Sequence, residues 1–261
     1  MMINSRRQFL KIASAGAAVT RLGISATSEP TGGLIFPPAN YPMPPEVHKM
    51  YPSGIRFLGT GVGLPSMTPE GYDSVIDKIV PSALELKKQG ANVISVFGSS
   101  LTFYKGAAFN KQLADAVTKA TGLPATTQSN GLIEGLRLAG ARRIAVATAY
   151  NEEVTSRLVA FLHESDFEVV KAKGLGISLN ISQAAQDGLL EFSAGVKESA
   201  PSADALLVSC GGLHTLDLLV PLETRCKVPV VSSQPHGLWN VVRLLGVSAR
   251  VEGYGSVLAK G

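Results

Sequence analysis

The chain has 261 residues, 45% of them hydrophobic, with 27 glycines, 24 basic and 20 acidic side chains. That balance excludes a disordered chain and leaves enough length for one large core or two joined lobes. The first 26 positions hold Arg6, Arg7, Lys11 and Arg21 and no acid, and without them basic and acidic residues balance. Nothing in the remainder would steer it to nucleic acid or an anionic membrane.

In chain order, Ser5-Arg6-Arg7-Gln8-Phe9-Leu10-Lys11 resembles a twin-arginine export signal. The Ala-, Gly- and Ser-rich stretch Ile12–Ala26 is too short and too weakly apolar to span a bilayer as a stable helix. Residues 1–26 are therefore read as a signal segment, and the mature protein as periplasmic, without stable membrane association and monomeric; the alternative is a basic tail on a cytoplasmic protein.

Gly32–Phe36 reads as the first strand, stopped by Pro37-Pro38, with a Pro-rich loop running to Pro52. Ile55–Gly59 is the second strand. The glycine loop that follows, to Pro65, is only superficially like a dinucleotide loop, because no helix opens from it. Thr68 caps a helix with Pro69 in its first turn, expected to continue to Gln89 with a kink near Pro81. Then come a strand over Asn92–Phe97, a loop over Ser99–Gly106 and a helix over Ala108–Ala120. Pro124–Thr127 is a strand, Ser129–Leu138 a helix and Arg143–Thr148 a buried strand. Asn151 caps a helix to Glu164. Phe167–Val170 is a strand, Leu175–Ser182 an irregular loop suited to covering a site, and a helix precedes Pro201. The strand that begins near Ala203 ends on Cys210, before Gly211-Gly212 and a helix pattern from Thr215. Val228–Ser232 is the last strand and His236–Leu245 the last long helix. Eight strands alternating with helices predict an α/β fold with mostly parallel sheets.

The chain contains an internal repeat. Ala91–Ser100 matches Ala203–Gly212 position for position, with Gly98 falling where Cys210 falls. Leu123–Gly140 likewise resembles Val228–Gly246. The repeat predicts two similar Rossmann-like lobes related by a pseudo-twofold axis, with the active site in the cleft between them. Residues 31–127 plus 233–261 are expected to form lobe 1 and residues 128–232 lobe 2.

Ligands of open α/β sheets bind at the carboxyl ends of the strands. There the cleft is expected to offer the Cys210 thiol, the hydroxyls of Ser99 and Ser100, and backbone N–H groups after residues 98 and 210. Tyr150, also at a strand end, either lines the wall or donates to a bound carboxylate. A helix separates Cys210 from Cys226 by about 16 Å, too far for the roughly 7 Å limit of a disulfide, so two free thiols are expected. No flavin, nicotinamide or metal signature is present, and no cofactor is expected. A thiol beside an anion site suits proton transfer at a carbon next to a carboxylate.

The likeness of residues 32–255 to a known family rests on the Pro37-Pro38 loop, Gly61–Leu64 with Met67–Asp73, Gly98–Gly106, Ala147–Tyr150, Leu207–Gly212 and Val228–Ser233. On these segments the chain resembles the aspartate/glutamate racemase superfamily and, within it, the arylmalonate decarboxylases. Racemases of that superfamily typically carry a cysteine in each lobe; here the first is Gly98, which implies protonation from one side only. The resemblance implies cofactor-free decarboxylation of a disubstituted arylmalonate, with Cys210 protonating an enediolate to give a chiral arylpropionate. It implies a dioxyanion hole of Ser99, Ser100, Tyr150, Gly211 and Gly212, and a pocket near Pro38, Leu64, Met67 and Gly98 for the other carboxylate. The alternatives are a racemase or isomerase of a small carboxylate or amino acid, and a non-catalytic periplasmic carboxylate-binding protein. Three local departures stand out. Ser99 replaces the family's usual threonine, the Asn180–Gln183 region is more polar than the family's pocket wall, and His214 replaces an apolar residue. His214 is read as exposed or helix-capping, with tuning of the thiol as its other possible role.

Overall fold

The computed structural model describes residues 29–40, 42–177 and 186–261. The expected signal segment and the Asn180–Gln183 region lie outside them. Eight strands occur among the described residues: β1 (Thr31–Phe36), β2 (Arg56–Gly61), β3 (Val93–Val96), β4 (Ala125–Thr127), β5 (Arg143–Tyr150), β6 (Glu168–Ile177), β7 (Ala205–Ser209) and β8 (Val230–Ser232). They form two four-stranded sheets, ordered β2-β1-β3-β4 and β6-β5-β7-β8, and every pairing is parallel. The two orders match strand for strand, so the repeat in the sequence is a repeat of architecture. β1, β3, β5 and β7 carry almost wholly buried runs such as Val93–Val96 and Ala205–Ser209, as parallel strands covered on both faces require.

The helices are α1 (Pro45–Met50), α2 (Pro69–Asp73), α3 (Ile76–Lys88), α4 (Ser99–Phe103), α5 (Gly106–Thr121), α6 (Gln128–Ala139), α7 (Glu152–Glu164), α8 (Leu189–Glu198), α9 (Leu219–Cys226) and α10 (Ser233–Leu244). Their starts follow local chemistry. Thr68 accepts from the Gly71 N–H, and Asn151 accepts from the Val154 N–H, as the caps predict. α6 and α10 cross between the sheets at their glycines and form the most extensively packed helix pair. A Cβ on Gly131 would lie 2.5 Å from the His236 carbonyl oxygen and 2.9 Å from the Gly237 Cα.

Four expectations are corrected. The Pro-rich stretch contains α1, because Pro45 at its first turn suits a helix start. The expected long helix breaks at Ser74-Val75 rather than bending at Pro81. Pro81 and Asp77 are both exposed, so water can take the Asp77 carbonyl that the proline cannot bond. The Ser99–Gly106 stretch opens on α4, not a loop. β6 extends to Ile177, into the expected loop; it is a half-exposed edge strand whose lysines mask its pattern.

Candidate active site

The carboxyl ends of β1, β3 and β7 open on a cavity of about 460 Å³. Phe36, Pro37, Pro38, Leu64, Met67 and Phe97 give it apolar walls, and Cys210, Gly211, Gly212, Gly98 and Ser100 stand at the strand ends. Eight of the ten expected site residues therefore share one cavity. Ser99 and Tyr150, both almost wholly buried, lie outside its lining. A larger, more open recess of about 550 Å³ lies beside α7 and β6, walled by Tyr150, Glu152, Thr155 and Lys173. It contains no thiol, so the chemistry belongs to the smaller cavity.

Cys210 and Cys226 are both free, and Cys226 takes no part in the cavity. Cys210 follows the last residue of β7, and its N–H donates to Ser233 Oγ at 3.1 Å. Burial pushes its thiol pKa above the ordinary value; the Gly212 N–H, the Tyr150 hydroxyl and the Leu213 N–H hydrogen-bond the sulfur and pull the other way. Burial wins, which holds the group as a thiol, a proton donor, at neutral pH.

Behind the thiol lies a chain of hydroxyls. Ser99 Oγ is 2.9 Å from the Tyr150 hydroxyl and 3.1 Å from Ser233 Oγ. Burial, then the neighbouring Cys210, raises the Tyr150 hydroxyl pKa well above its ordinary value, against hydrogen bonds with Ser99 and Ser209. Tyr150 therefore stays a neutral donor. Ser99 and Tyr150 support the sulfur from the rear of the wall, and Ser100 is the hydroxyl residue of the cavity lining itself.

Of the backbone donors expected after residue 98, the Ser99 N–H is occupied, and so is the N–H of Gly98 itself. Gly98 N–H and Ser99 N–H donate to Gln128 Oε1 at 2.9 and 2.8 Å. The Gln128 Nε2 in turn donates to Gln234 Oε1 at 3.0 Å. Gln128, Ser233 and Gln234 were not legible as site residues, although they stand immediately after β4 and β8, strand ends that the repeat makes equivalent. His214 does not cap a helix. It lines the cavity half-exposed, with Nδ1 3.0 Å from Oε1 of the buried Glu46 in α1.

Gly98 has φ +89°, and a Cβ there would lie 2.3 Å from Pro37 Cγ. Both the backbone and the neighbouring ring thus demand glycine opposite the repeat's cysteine position. A thiol in one repeat and glycine in the other is the feature that set the arylmalonate decarboxylases apart in the sequence, and a family model described as "Arylmalonate decarboxylase" matches residues 32–258. The chain belongs to the arylmalonate decarboxylase family. Arylmalonate decarboxylase from Bordetella bronchiseptica is 47% identical over 231 residues, covering 87% of this chain and 96% of that protein. Maleate isomerase from Nocardia farcinica is 24% identical over 236 residues, covering 87% and 94%. Among solved structures, a liganded double mutant of arylmalonate decarboxylase aligns with a TM-score of 0.84 at 44% identity, over 89% of this chain and 100% of that one. A maleate isomerase from Pseudomonas putida S16 with maleate aligns with a TM-score of 0.80 at 24% identity, over 88% and 97%, and shares the fold. In this chain Cys210, just after β7, and Gly98, just before α4, line the same cavity.

Proposed function

We propose that the protein decarboxylates an arylmalonate-type disubstituted malonate without a cofactor and delivers a chiral arylpropionate. The observation that carries the reading is the Cys210 thiol, buried, kept protonated and lining the same cavity as Gly98. Ser100 and the Gly211 N–H would hold the retained carboxylate, and the Gly212 N–H, which also meets the Cys210 sulfur, would join Ser99 and Tyr150 in completing the donor set behind them. Pro38, Leu64 and Met67 would surround the second carboxylate. Removing that carboxylate from water into apolar surroundings favours its loss, and donors at the retained one stabilise the charge that develops.

The bond from the α-carbon to the second carboxyl breaks, its electron pair stays on the substrate as an enediolate, and carbon dioxide leaves. The Cys210 Sγ–H bond then breaks, the proton goes to the α-carbon from one face, and the resulting thiolate recovers a proton from solvent. Gly98 offers no donor on the other side, so one enantiomer is the expected product. Export through the twin-arginine segment would place the reaction, and a monomeric enzyme, in the periplasm; cell fractionation tests the placement and size-exclusion chromatography the oligomeric state.

The deciding experiment is carbon dioxide release from phenylmalonate and methylphenylmalonate, with Cys210→Ala alongside. Release that falls by at least roughly 100-fold in the variant, the scale of one general acid, supports the reading. Release that is absent from wild type, or equal in Cys210→Ala, overturns it. Solvent-deuterium exchange into a small carboxylate without release of carbon dioxide would instead favour a racemase or isomerase.

A further inference from the structure

The cavity wall carries polar groups that this decarboxylation does not use. Gln128, Gln234 and His214 line it together with Cys210, and neighbouring bonds fix how each is oriented. Two N–H donors, from Gly98 and Ser99, fall on one end of the Gln128 amide, and only an amide oxygen can accept both. The other end is therefore the NH2, and the Gln234 atom it meets at 3.0 Å must be an oxygen. That leaves the Gln234 NH2 as a donor, in a residue 2% exposed, with no partner among the described residues.

His214 is fixed by different means. Gln186 brackets its backbone, donating to the carbonyl at 2.7 Å and accepting from the N–H at 3.1 Å. Its Nδ1 is engaged by Glu46, whose carboxylate side chain is 3% exposed. In the neutral form of the ring, Nδ1–H on the carboxylate leaves Nε2 as an acceptor. One unmatched donor and one acceptor thus belong to a wall whose other apolar faces, Phe36, Pro37 and Phe97, suit an aromatic ring. A donor buried without a partner is costly and is retained where something completes it.

We propose that this wall reads a hydroxyl group on the substrate's aryl substituent, so that hydroxyarylmalonates are the preferred class. A phenolic hydroxyl accepts from the Gln234 NH2 and donates to His214 Nε2, while the apolar walls take the ring. The inference rests on the proposed decarboxylation for the malonate core and adds the chemistry of its substituent.

The test compares kcat/KM for (4-hydroxyphenyl)malonate and phenylmalonate in wild type, Gln234→Leu and His214→Leu. The ring hydroxyl has its own electronic effect on carbanion formation, which is common to all three proteins and cancels when their ratios are compared. The hydroxyphenyl-to-phenyl ratio should fall by roughly tenfold in each variant, the effect of losing one hydrogen bond. An unchanged ratio in both variants overturns the proposal. If either leucine variant fails to melt cooperatively, Gln234→Met and His214→Phe keep the comparison available.

Calorimetry with 4-hydroxyphenylacetate and phenylacetate reads the wall without turnover. Wild type should bind the hydroxylated acid roughly tenfold more tightly, and equal binding overturns the proposal. If no malonate releases carbon dioxide yet the binding preference is present and is lost in Gln234→Leu, the decarboxylation reading fails and the wall's selectivity stands.

Discussion

Gly98 sits where neither the backbone nor the neighbouring ring leaves room for a side chain. Its φ and ψ are +89° and +85°, a region in which a residue with a Cβ costs roughly 1–3 kcal/mol. The Cβ of Gly98→Ala would lie 2.3 Å from Pro37 Cγ and 3.2 Å from Pro37 Cδ. Carbon atoms rest about 3.5–4.0 Å apart, so the pyrrolidine ring must retreat by more than about 1 Å. Overpacking of this kind adds roughly 1–3 kcal/mol. Together the terms predict a loss of about 2–6 kcal/mol, which for a chain of this size lowers Tm by roughly 4–24 °C. Thermal and urea unfolding measure it. The cost of Gly98→Ala should fall by about half when measured in a Pro37→Ala background, because the overlap is relieved while the backbone term stays. A Gly98→Ala protein within about 1 kcal/mol of wild type refutes the geometry assigned to Gly98 and Pro37. Gly98→Cys puts a second thiol in the cavity lining. A thiol in the first repeat makes protonation two-sided, so the optical purity of the product should fall. Unchanged optical purity in an active, folded variant would refute one-sided protonation as the consequence of Gly98.

Tyr150→Phe removes a hydroxyl that meets both Ser99 and Cys210. It should lower kcat by roughly 10²–10³, the scale of one lost oxyanion donor, with a smaller effect on KM. Equal losses in binding and turnover would argue against a transition-state role. The thiolate absorbance of wild type, corrected with Cys210→Ser, should rise with a midpoint above the ordinary thiol value of about 8.5, because burial outweighs the three hydrogen bonds on the sulfur. In Tyr150→Phe the midpoint should move higher still, since one of those bonds is gone. Buried His236 is held neutral, with its pKa lowered from 6.5 to about 4 by desolvation, against a hydrogen bond with Ser232. The unfolded chain therefore binds the extra proton first as pH falls. Its contribution to stability is present in full above about pH 6.5 and is lost as pH falls towards about 4, by about 3 kcal/mol in all. His236→Asn should flatten urea-unfolding stability between pH 7 and 5, and an undiminished slope would show that other groups carry the acid sensitivity.

Much of this was legible in the sequence because parallel strands announce themselves. Val93–Val96 and Ala205–Ser209 are short apolar runs bounded by Gly or polar residues, and their duplication located both halves of the cleft. Cys210, Gly211 and Gly212 followed from their place at a strand end. What escaped depended on contacts that no local pattern encodes. Gln128 and Gln234 are 106 residues apart in the chain, and each reads alone as an ordinary polar residue at a helix start. Glu46 lies in a stretch that its prolines disguise as loop, and its partner His214 is 168 residues away. Nor does any local pattern show that a side chain from the following βα unit, Gln128, takes the N–H groups of Gly98 and Ser99. β6 was shortened because Lys171 and Lys173 on an edge strand interrupt the apolar run that identified its neighbours.

The crossing of α6 and α10 has a mechanical consequence. Two-lobed proteins that clamp shut on a ligand need lobes free to rotate about a thin connection. Here Gly131 seats α6 directly on the α10 backbone at His236 and Gly237, and the crossing is sealed by buried side chains including Leu132, Leu136 and Leu238. A seam packed this closely resists rotation of one half against the other. Asn40 and His214 border the cavity and are exposed, so it opens to solvent on their side. A rigid cleft selects by exclusion: an oversized substituent is turned away at that entrance, and a planar intermediate cannot roll over to offer its second face to the thiol.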